Sequence, residues 1–158
     1  MPAPDIETLF DLETAVISAL KTILLAHGWT PYGMREAGEK RTPFVNLSFD
    51  SQGVTEHEGI RPDGTLYYDT WRGTITSEII TNRRSPGQGH AKIVGGYRWF
   101  MMNVPTHFTP AVLPYHSIAY LIERPTKPGI EADKEEDKTA IEHEIIVSIR
   151  PEAWPVTP

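Results

Sequence analysis

Two Glu-His-Glu triplets are the residues in this sequence best suited to chemistry, because imidazole and carboxylate groups are ordinary ligands of transition metals. They are Glu56-His57-Glu58 and Glu142-His143-Glu144. Neighbouring side chains of a β-strand point to opposite faces, so each histidine would face away from its own glutamates. A metal site would therefore require both triplets on paired strands in matched register. The alternative interpretation is two solvated strand ends, and we predict no metal site.

Other polar patterns do not assemble an active site. Gly87-Gln88-Gly89-His90 could offer backbone N–H groups to a phosphate at a helix start, but it lacks Rossmann or P-loop spacing. The sequence has no Gly-x-Ser-x-Gly nucleophile elbow. His116 lies in an otherwise apolar alternating stretch, where we expect a hydrogen-bonded core or interface histidine. We predict no catalytic residue, no cofactor and no enzyme activity.

Charge and composition narrow the class of protein. The 158 residues carry 15 Lys and Arg against 21 Asp and Glu, a formal net charge of −6. A protein that grips nucleic acid usually has a basic stripe, so this balance argues against one. Cysteine is absent, which excludes disulfides and Cys-based zinc sites. With no secretory pattern and no membrane-length apolar segment, we expect one domain, 1–158, in a cytoplasm.

The chain is organised around residues 66–83, a stretch rich in threonine and aromatic residues, as strands are. Read with a period of two, one face carries the apolar residues Tyr67, Trp71, Ile75 and Ile79. The opposite face is mostly polar. At about 3.3 Å per residue the stretch would span roughly 60 Å, far beyond an ordinary strand. We expect it to bend at Gly73 or to project as a ribbon that contacts other subunits.

The flanking segments predict the rest of the fold. Asp5 suits the start, and Gly28 the end, of one amphipathic helix that reaches about Ala26. A second helix should run from about Gly89 to Met102, with Gly95-Gly96 close to the sheet. A loop is predicted at 29–42, a turn at 51–53, a hairpin turn at 61–65, and strands at 43–50, 54–60, 115–124 and 141–150.

These elements predict an α+β fold. It is a mainly antiparallel β-sheet with two helices packed on one face and a long β-hairpin that pairs 54–60 with 66–72. On the strand 115–124, alternation places four residues on one face: His116, Ile118, Tyr120 and Ile122.

One segment, 126–139, is predicted to be a mobile acidic loop. Its five carboxylates outnumber Lys134 and Lys138, and it contains no aromatic residue. The five are Glu131, Asp133, Glu135, Glu136 and Asp137. A short C-terminal tail, 151–158, completes the chain.

Four pieces of the sequence together carry a resemblance to a known family. They are the N-terminal amphipathic helix, YDTWRGTITSEIITNRR (68–84), LPYHSIAYLIER (113–124) and IIVSIRPEAWP (145–155). In pattern and order they resemble the small neck or tail-completion proteins of long-tailed bacteriophages, most closely the tail terminators. The similarity covers most of the chain.

The resemblance implies a structural virion protein of the tail or neck, assembled in the host cytoplasm. Such a subunit forms a ring, commonly a hexamer, that caps the tail tube and joins it to the head. Its implied partners are further copies of itself, the major tail tube protein and the head-side connector or stopper protein. DNA passes through the lumen without specific binding, and no membrane is involved.

A ring built head to tail needs two different complementary patches on each subunit. We predict that one interface comes from the start of the long stretch, with Tyr67, Tyr68, Trp71 and Arg72. The acidic loop is expected to face the lumen or a partner. Two alternatives stay open: another neck component (a head-completion adaptor or stopper) or a tail-tube protein, and, from a different class, a small soluble enzyme or ligand-binding domain.

Overall fold

One mixed β-sheet forms the centre of the protein in the computed structural model, which describes residues 4–54, 58–60, 66–68, 70–84, 88–124, 131–132, 135–150 and 153. The strands are β1 (Pro31–Gly33), β2 (Phe44–Val54), β3 (Glu58–Ile60), β4 (Leu66–Tyr68), β5 (Thr70–Asn82), β6 (His116–Arg124), β7 (Glu131–Ala132) and β8 (Glu136–Ile149). The helices are α1 (Ile6–Phe10), α2 (Leu12–Ala26), α3 (His90–Asn103) and a 3-10 helix (Val104–His107). The fold is α+β, as predicted.

The sheet is built around β5. Its order is β1-β2-β5-β8-β6, with β7 also paired to β8, while β3 and β4 make a separate two-stranded hairpin. All these pairs are antiparallel except β1 with β2. The strand β1 lies where we predicted a loop. Its residues carry no strand pattern, and it is held by edge pairing with β2, where Pro31 is tolerated.

The long stretch 66–83 forms two strands. β4 pairs with β3 as the predicted hairpin, whereas β5 begins at Thr70 in the main sheet. The strand does not end at Gly73, which lies inside β5, opposite Ser51 and Ile145, next to the register shift of β2; the bend there stays a prediction. A Cβ atom at Gly73 would overlap the ring of Phe49, so the glycine makes room for a buried phenylalanine.

The strand before it is longer than predicted. β2 continues through the expected turn at 51–53 as far as Val54, which pairs with Trp71. The pairing register shifts between Ser51 and Val54, and Gly53 takes a positive φ of 107°. A bulge therefore accommodates the glycine that sequence reasoning assigned to a turn.

The predicted N-terminal helix is interrupted once. Asp5 caps its start, accepting a hydrogen bond from Thr8 N at 3.0 Å, and Gly28 follows its end with a φ of 86°, both as predicted. Between them Asp11 leaves the helical conformation and accepts from Thr14 N at 3.1 Å. An aspartate favours the cap position over the helix interior, so α1 ends and α2 begins there.

The α-helices pack on one face of the sheet, as predicted. Tyr97 of α3 donates to Ser77 Oγ of β5 at 2.6 Å, and Phe10 of α1 packs edge-on against Trp71. The largest fully buried apolar side chains come from both layers and from the loop before β6: Leu9, Leu20, Leu24, Leu47, Ile75, Ile79, Met101, Leu113, Ile141, Ile145 and Ile149. The predicted approach of Gly95-Gly96 to the sheet is wrong, since both glycines are exposed on α3.

The outer strand β6 is irregular. Its register against β8 shifts between Ile118 and Leu121, so three steps along β6 match two along β8. After this bulge the even-numbered residues no longer face the core. Leu121 is half-buried, whereas Tyr120, which strict alternation would place on the core side, is exposed. The predicted common face of His116, Ile118, Tyr120 and Ile122 is therefore wrong beyond Ile118, because the extra residue turns Tyr120 and Ile122 outward.

Candidate assembly surfaces

The sheet face opposite the helices, here called the open face, carries a network of ion pairs. Arg72 of β5 and Arg124 of β6 both contact Glu144 of β8, each with an N–O distance of 3.1 Å. Further along, Lys138 of β8 contacts Glu78 of β5 at 2.7 Å. Partly exposed pairs of this kind each contribute about 0–1 kcal/mol. They join neighbouring strands through their side chains and orient these long side chains on the open face.

Uncharged polar side chains continue the open face across the strands. Gln52 donates to Thr74 Oγ1 at 2.8 Å, joining β2 to β5. Thr70 and Ser148 hydroxyls lie 3.0 Å apart, joining β5 to β8. Side chains thus cross-link the strands of the open face, which also holds the buried pair Phe44 and Ile80, and the α-helices pack on its reverse.

The predicted interface residues are divided among three environments. Arg72 lies on the open face, as just described. Tyr67 and Tyr68 belong to β4, opposite Gly59 and Glu58, and their side chains lie outside the described part of the chain.

Trp71 is a core residue in the subunit. Its side chain is 8% exposed, and its ring lies 5.5 Å from that of Phe10 at an angle of 80°. Within the subunit, Phe10 of α1 thus covers part of this ring. The expectation that Trp71 is an exposed interface residue is corrected accordingly, because its strand face is the one that the helices cover.

The acidic segment is partly ordered as strand. Glu136 and Asp137 belong to β8, opposite Asn82 and Thr81, and Glu131 belongs to β7. The predicted loop at 126–139 is therefore too long, since pairing with β5 extends β8 to Glu136. Asp133 lies outside the described residues, and the mobility of the loop stays a prediction.

Two arginines meet this acidic end. Arg83 contacts Asp137 at 3.2 Å, and Arg84 forms an ion pair with Glu135. The backbone N–H of Arg83 also donates to Glu135 O at 2.7 Å. Part of the negative charge is thus balanced within the subunit.

A second exposed surface lies on the far side of α3. Gly95, Trp99 and Met102 follow the spacing i, i+4, i+7 on the face turned away from the sheet, here called the outer face of α3. Trp99 is 68% exposed and Met102 is 73% exposed. Sequence reasoning read only the buried stripe of this helix. The signal it missed was a second apolar stripe on the opposite side.

The open face has its own apolar edge. After the β6 bulge, Ile122 lies opposite Glu144, and both Ile122 and Tyr120 are exposed. The two surfaces lie on opposite sides of the subunit, because the sheet and α3 are stacked layers. Arg98 of α3 donates to Glu123 of β6 at 2.8 Å, which fixes one layer against the other.

Two of the histidines considered for chemistry, His116 and His143, are buried core residues. His143 is 3% exposed on the core face, whereas Glu142 and Glu144 lie on the open face, as strand alternation predicts. His116 is also buried, and its Nε2 lies 2.8 Å from Leu9 O, which confirms a core role. Burial lowers the pKa of both histidines. Glu56 and His57 of the other triplet lie outside the described residues.

In the glycine-rich turn considered as a phosphate site, the described residues Gly89 and His90 have structural roles. Gly89 takes a left-handed φ of 71° before α3, and the side chain of His90 is buried between two hydroxyls. Its Nδ1 lies 2.8 Å from Thr81 Oγ1 and its Nε2 lies 2.7 Å from Thr139 Oγ1. Gly87 lies outside the described residues. This histidine connects α3 to β5 and β8.

A cleft opens where β2 begins. It has a volume of about 460 Å³, and its walls include Trp29, Tyr32 and Phe44, with Arg41 at the same opening. No carboxylate or histidine lines it among the described residues. It offers a largely apolar surface with the hydroxyl of Tyr32 and the guanidinium of Arg41.

Comparison with known proteins found no match among family models or curated proteins. Within the described residues, no group of three or more His, Asp or Glu side chains is arranged to hold a metal ion. None of the described helices is both long and apolar enough to cross a membrane.

Proposed function

We propose that this chain is a structural virion subunit that acts as a phage tail terminator. Copies of it form a closed ring that caps the tail tube and joins it to the head-side connector, with DNA passing through the lumen. The proposal rests on the resemblance of four sequence stretches to neck proteins and on the two exposed surfaces of the subunit.

The positions of the four stretches in the fold support the view that they form one structural unit. The second and third stretches include β5 and β6, and the fourth includes the last five residues of β8, 145–149; these strands are neighbours in the order β5-β8-β6. The first supplies α1 and α2, whose Leu9 and Leu20 are fully buried in the same core. Residues that are far apart in the sequence therefore belong to one sheet and one hydrophobic core.

The observation that carries the proposal is the pair of surfaces on opposite sides of the subunit. One is the polar open face with its apolar edge at Tyr120 and Ile122, and the other is the outer face of α3 with Trp99 and Met102. A head-to-tail ring requires two different patches. A tryptophan that is 68% exposed is an unusual feature for a solvated helix and a common anchor at interfaces.

Native mass spectrometry and negative-stain imaging test the ring. We expect a closed assembly of about six copies of the 17.8 kDa chain, consistent with the cyclic symmetry of most homo-oligomers. A stable monomer that binds a small molecule in the cleft beside Trp29 would contradict the proposal. A gene for the major tail protein immediately downstream would favour a terminator over another neck component.

The double variant Trp99→Ala, Met102→Ala tests which surface assembles. Truncating a buried aromatic anchor costs at least about 2 kcal/mol of binding, so we expect dissociated subunits with an unchanged circular dichroism spectrum. Leu25→Ala is the matched control, since Leu25 is an exposed large apolar residue on α2, away from the outer face of α3. A double variant that still forms rings would place the interface elsewhere.

A further inference from the structure

Two histidines from different elements lie side by side at one end of the helical layer. His27 follows the last residue of α2, and His107 is the last residue of the 3-10 helix after α3. Their ring centroids are 4.5 Å apart, with an angle of 57° between the ring planes. The sequence separates these histidines by 80 positions, so only the fold brings them together.

The hydrogen bond of His27 leaves one ring nitrogen available. His27 Nδ1 lies 2.8 Å from Ile23 O, and a carbonyl can only accept, so Nδ1 carries the proton and donates. In a neutral ring Nε2 then keeps its lone pair. A metal-ligating histidine almost always donates its other N–H to such an acceptor, which fixes the tautomer and orients the ring. His27 is also exposed, so an ion can reach it.

The spacing of the rings suits two neighbouring ligands of one ion. A metal about 2.1 Å from a ring nitrogen lies roughly 3.2 Å from that ring's centroid. Centroids 4.5 Å apart then subtend about 90° at the metal, the angle between adjacent ligands in octahedral coordination. Phe100 packs against both rings, at centroid distances of 5.1 Å from His27 and 6.0 Å from His107.

We infer that His27 and His107 form a two-ligand site for a divalent transition metal ion such as Zn²⁺, with water in the remaining positions. Imidazole nitrogens suit this class of ion. The ion would connect the end of α2 to the segment that follows α3, fastening together the two long helices that cover the sheet. The inference does not depend on the proposed function.

Titration of the untagged full chain with Zn²⁺, followed by calorimetry, tests the site. We expect one ion per chain, and a loss of affinity of at least about tenfold in His27→Gln and in His107→Gln. Removing even an outer-shell partner costs about 10–100-fold, and these changes remove a ligand itself. His57→Gln is the matched control and should keep the wild-type affinity, because it removes the histidine of a competing Glu-His-Glu triplet.

The wild-type chain provides a second measurement that needs no variant. In a long-range ¹H–¹⁵N spectrum, Zn²⁺ should shift the Nε2 resonance of His27 and leave its Nδ1 as the protonated nitrogen. At a free Zn²⁺ concentration of 100 times Kd, the unfolding equilibrium constant should fall by about a hundredfold. No Zn²⁺ binding, binding that survives both His27→Gln and His107→Gln, or binding lost in His57→Gln would overturn the inference.

Discussion

At the scale of single residues, packing around Gly73 shows how closely β2 and β5 approach. A Cβ atom built on this glycine would overlap the ring of Phe49 and lie 3.0 Å from Asp50 O. Phe49 is buried in the hydrophobic core, so its ring has little room to move aside. The residue at position 73 is therefore set by its neighbour's ring and not by backbone conformation.

Gly73→Ala should destabilise the subunit by about 1–3 kcal/mol, the usual cost of forcing an extra methyl group into a packed core. Urea unfolding followed by circular dichroism measures this change. Gly95→Ala is the matched control, because nothing lies within 4 Å of its Cβ position on α3. There alanine should increase stability by about 0.5–1 kcal/mol through helix propensity. Equal effects at both positions would contradict this account.

Three buried histidines link stability to pH. Burial lowers the pKa of His90, His116 and His143 in the folded chain, so below the ordinary value of about 6.5 the unfolded chain binds more protons. Their stabilising effect is full above that pH and is lost as the pH falls below it. We expect the free energy of unfolding to decrease between pH 7 and pH 5 in urea titrations.

His143→Leu should reduce this pH dependence. Within the part of the chain that the structure describes, His143 Nδ1 is buried without a hydrogen-bond partner, so leucine removes a buried polar atom together with its titration. The variant should lose less stability than the wild type on acidification. An unchanged slope would show that His143 does not contribute to it.

At the scale of elements, Asp11 divides the N-terminal segment into two helices. It is the C-cap residue of α1 and the N-cap residue of α2. Asp11 N donates to Glu7 O at 2.9 Å, while its side chain accepts from Thr14 N. One residue thus ends α1 and starts α2. The short α1 is then placed so that Phe10 covers Trp71 and Leu9 O meets His116.

Asp11→Ala should cost about 0.5–2 kcal/mol, the usual effect of removing a helix N-cap. Thermal unfolding monitored by circular dichroism measures it. Asp50→Ala is a suitable control because Asp50 is an exposed aspartate in β2 that caps no helix. If the two variants lose equal stability, Asp11 does not act through capping.

Elements with strong local signals could be predicted from the sequence, and those held by distant pairing could not. The caps at Asp5 and Gly28 mark the helical segment because they act within a few residues. β1 was missed because Pro31–Gly33 becomes a strand only through β2. Glu136 and Asp137 were placed in a loop by their charge, whereas pairing with β5 makes them strand.

The candidate surfaces show the same limit. Alternation correctly placed Arg72 on the polar face and His143 on the opposite side from its glutamates. It could not show that α1 covers Trp71, since nothing local connects residue 10 with residue 71. The nearness of His27 and His107 likewise follows from helix packing alone.

At the scale of the whole molecule, the subunit has two unlike sides separated by a layered core. The sheet offers charged pairs that involve Glu144 and Glu78, whereas α3 offers Trp99 and Met102. In the proposed ring, apolar contact would supply most of the binding free energy and the polar side would select the partner. High salt should therefore reduce the specificity for the correct partner, which depends on charge, more than it reduces the binding free energy contributed by Trp99.

The bulge in β6 also has a consequence for how the sheet can grow. A regular outer strand is a template onto which further strands add without limit, which leads to fibrous aggregation. Between Ile118 and Leu121 the extra residue interrupts that template, so an added strand would lose its register there. If the proposed ring forms, this bulge would keep ring assembly separate from amyloid-like growth at the edge of the sheet.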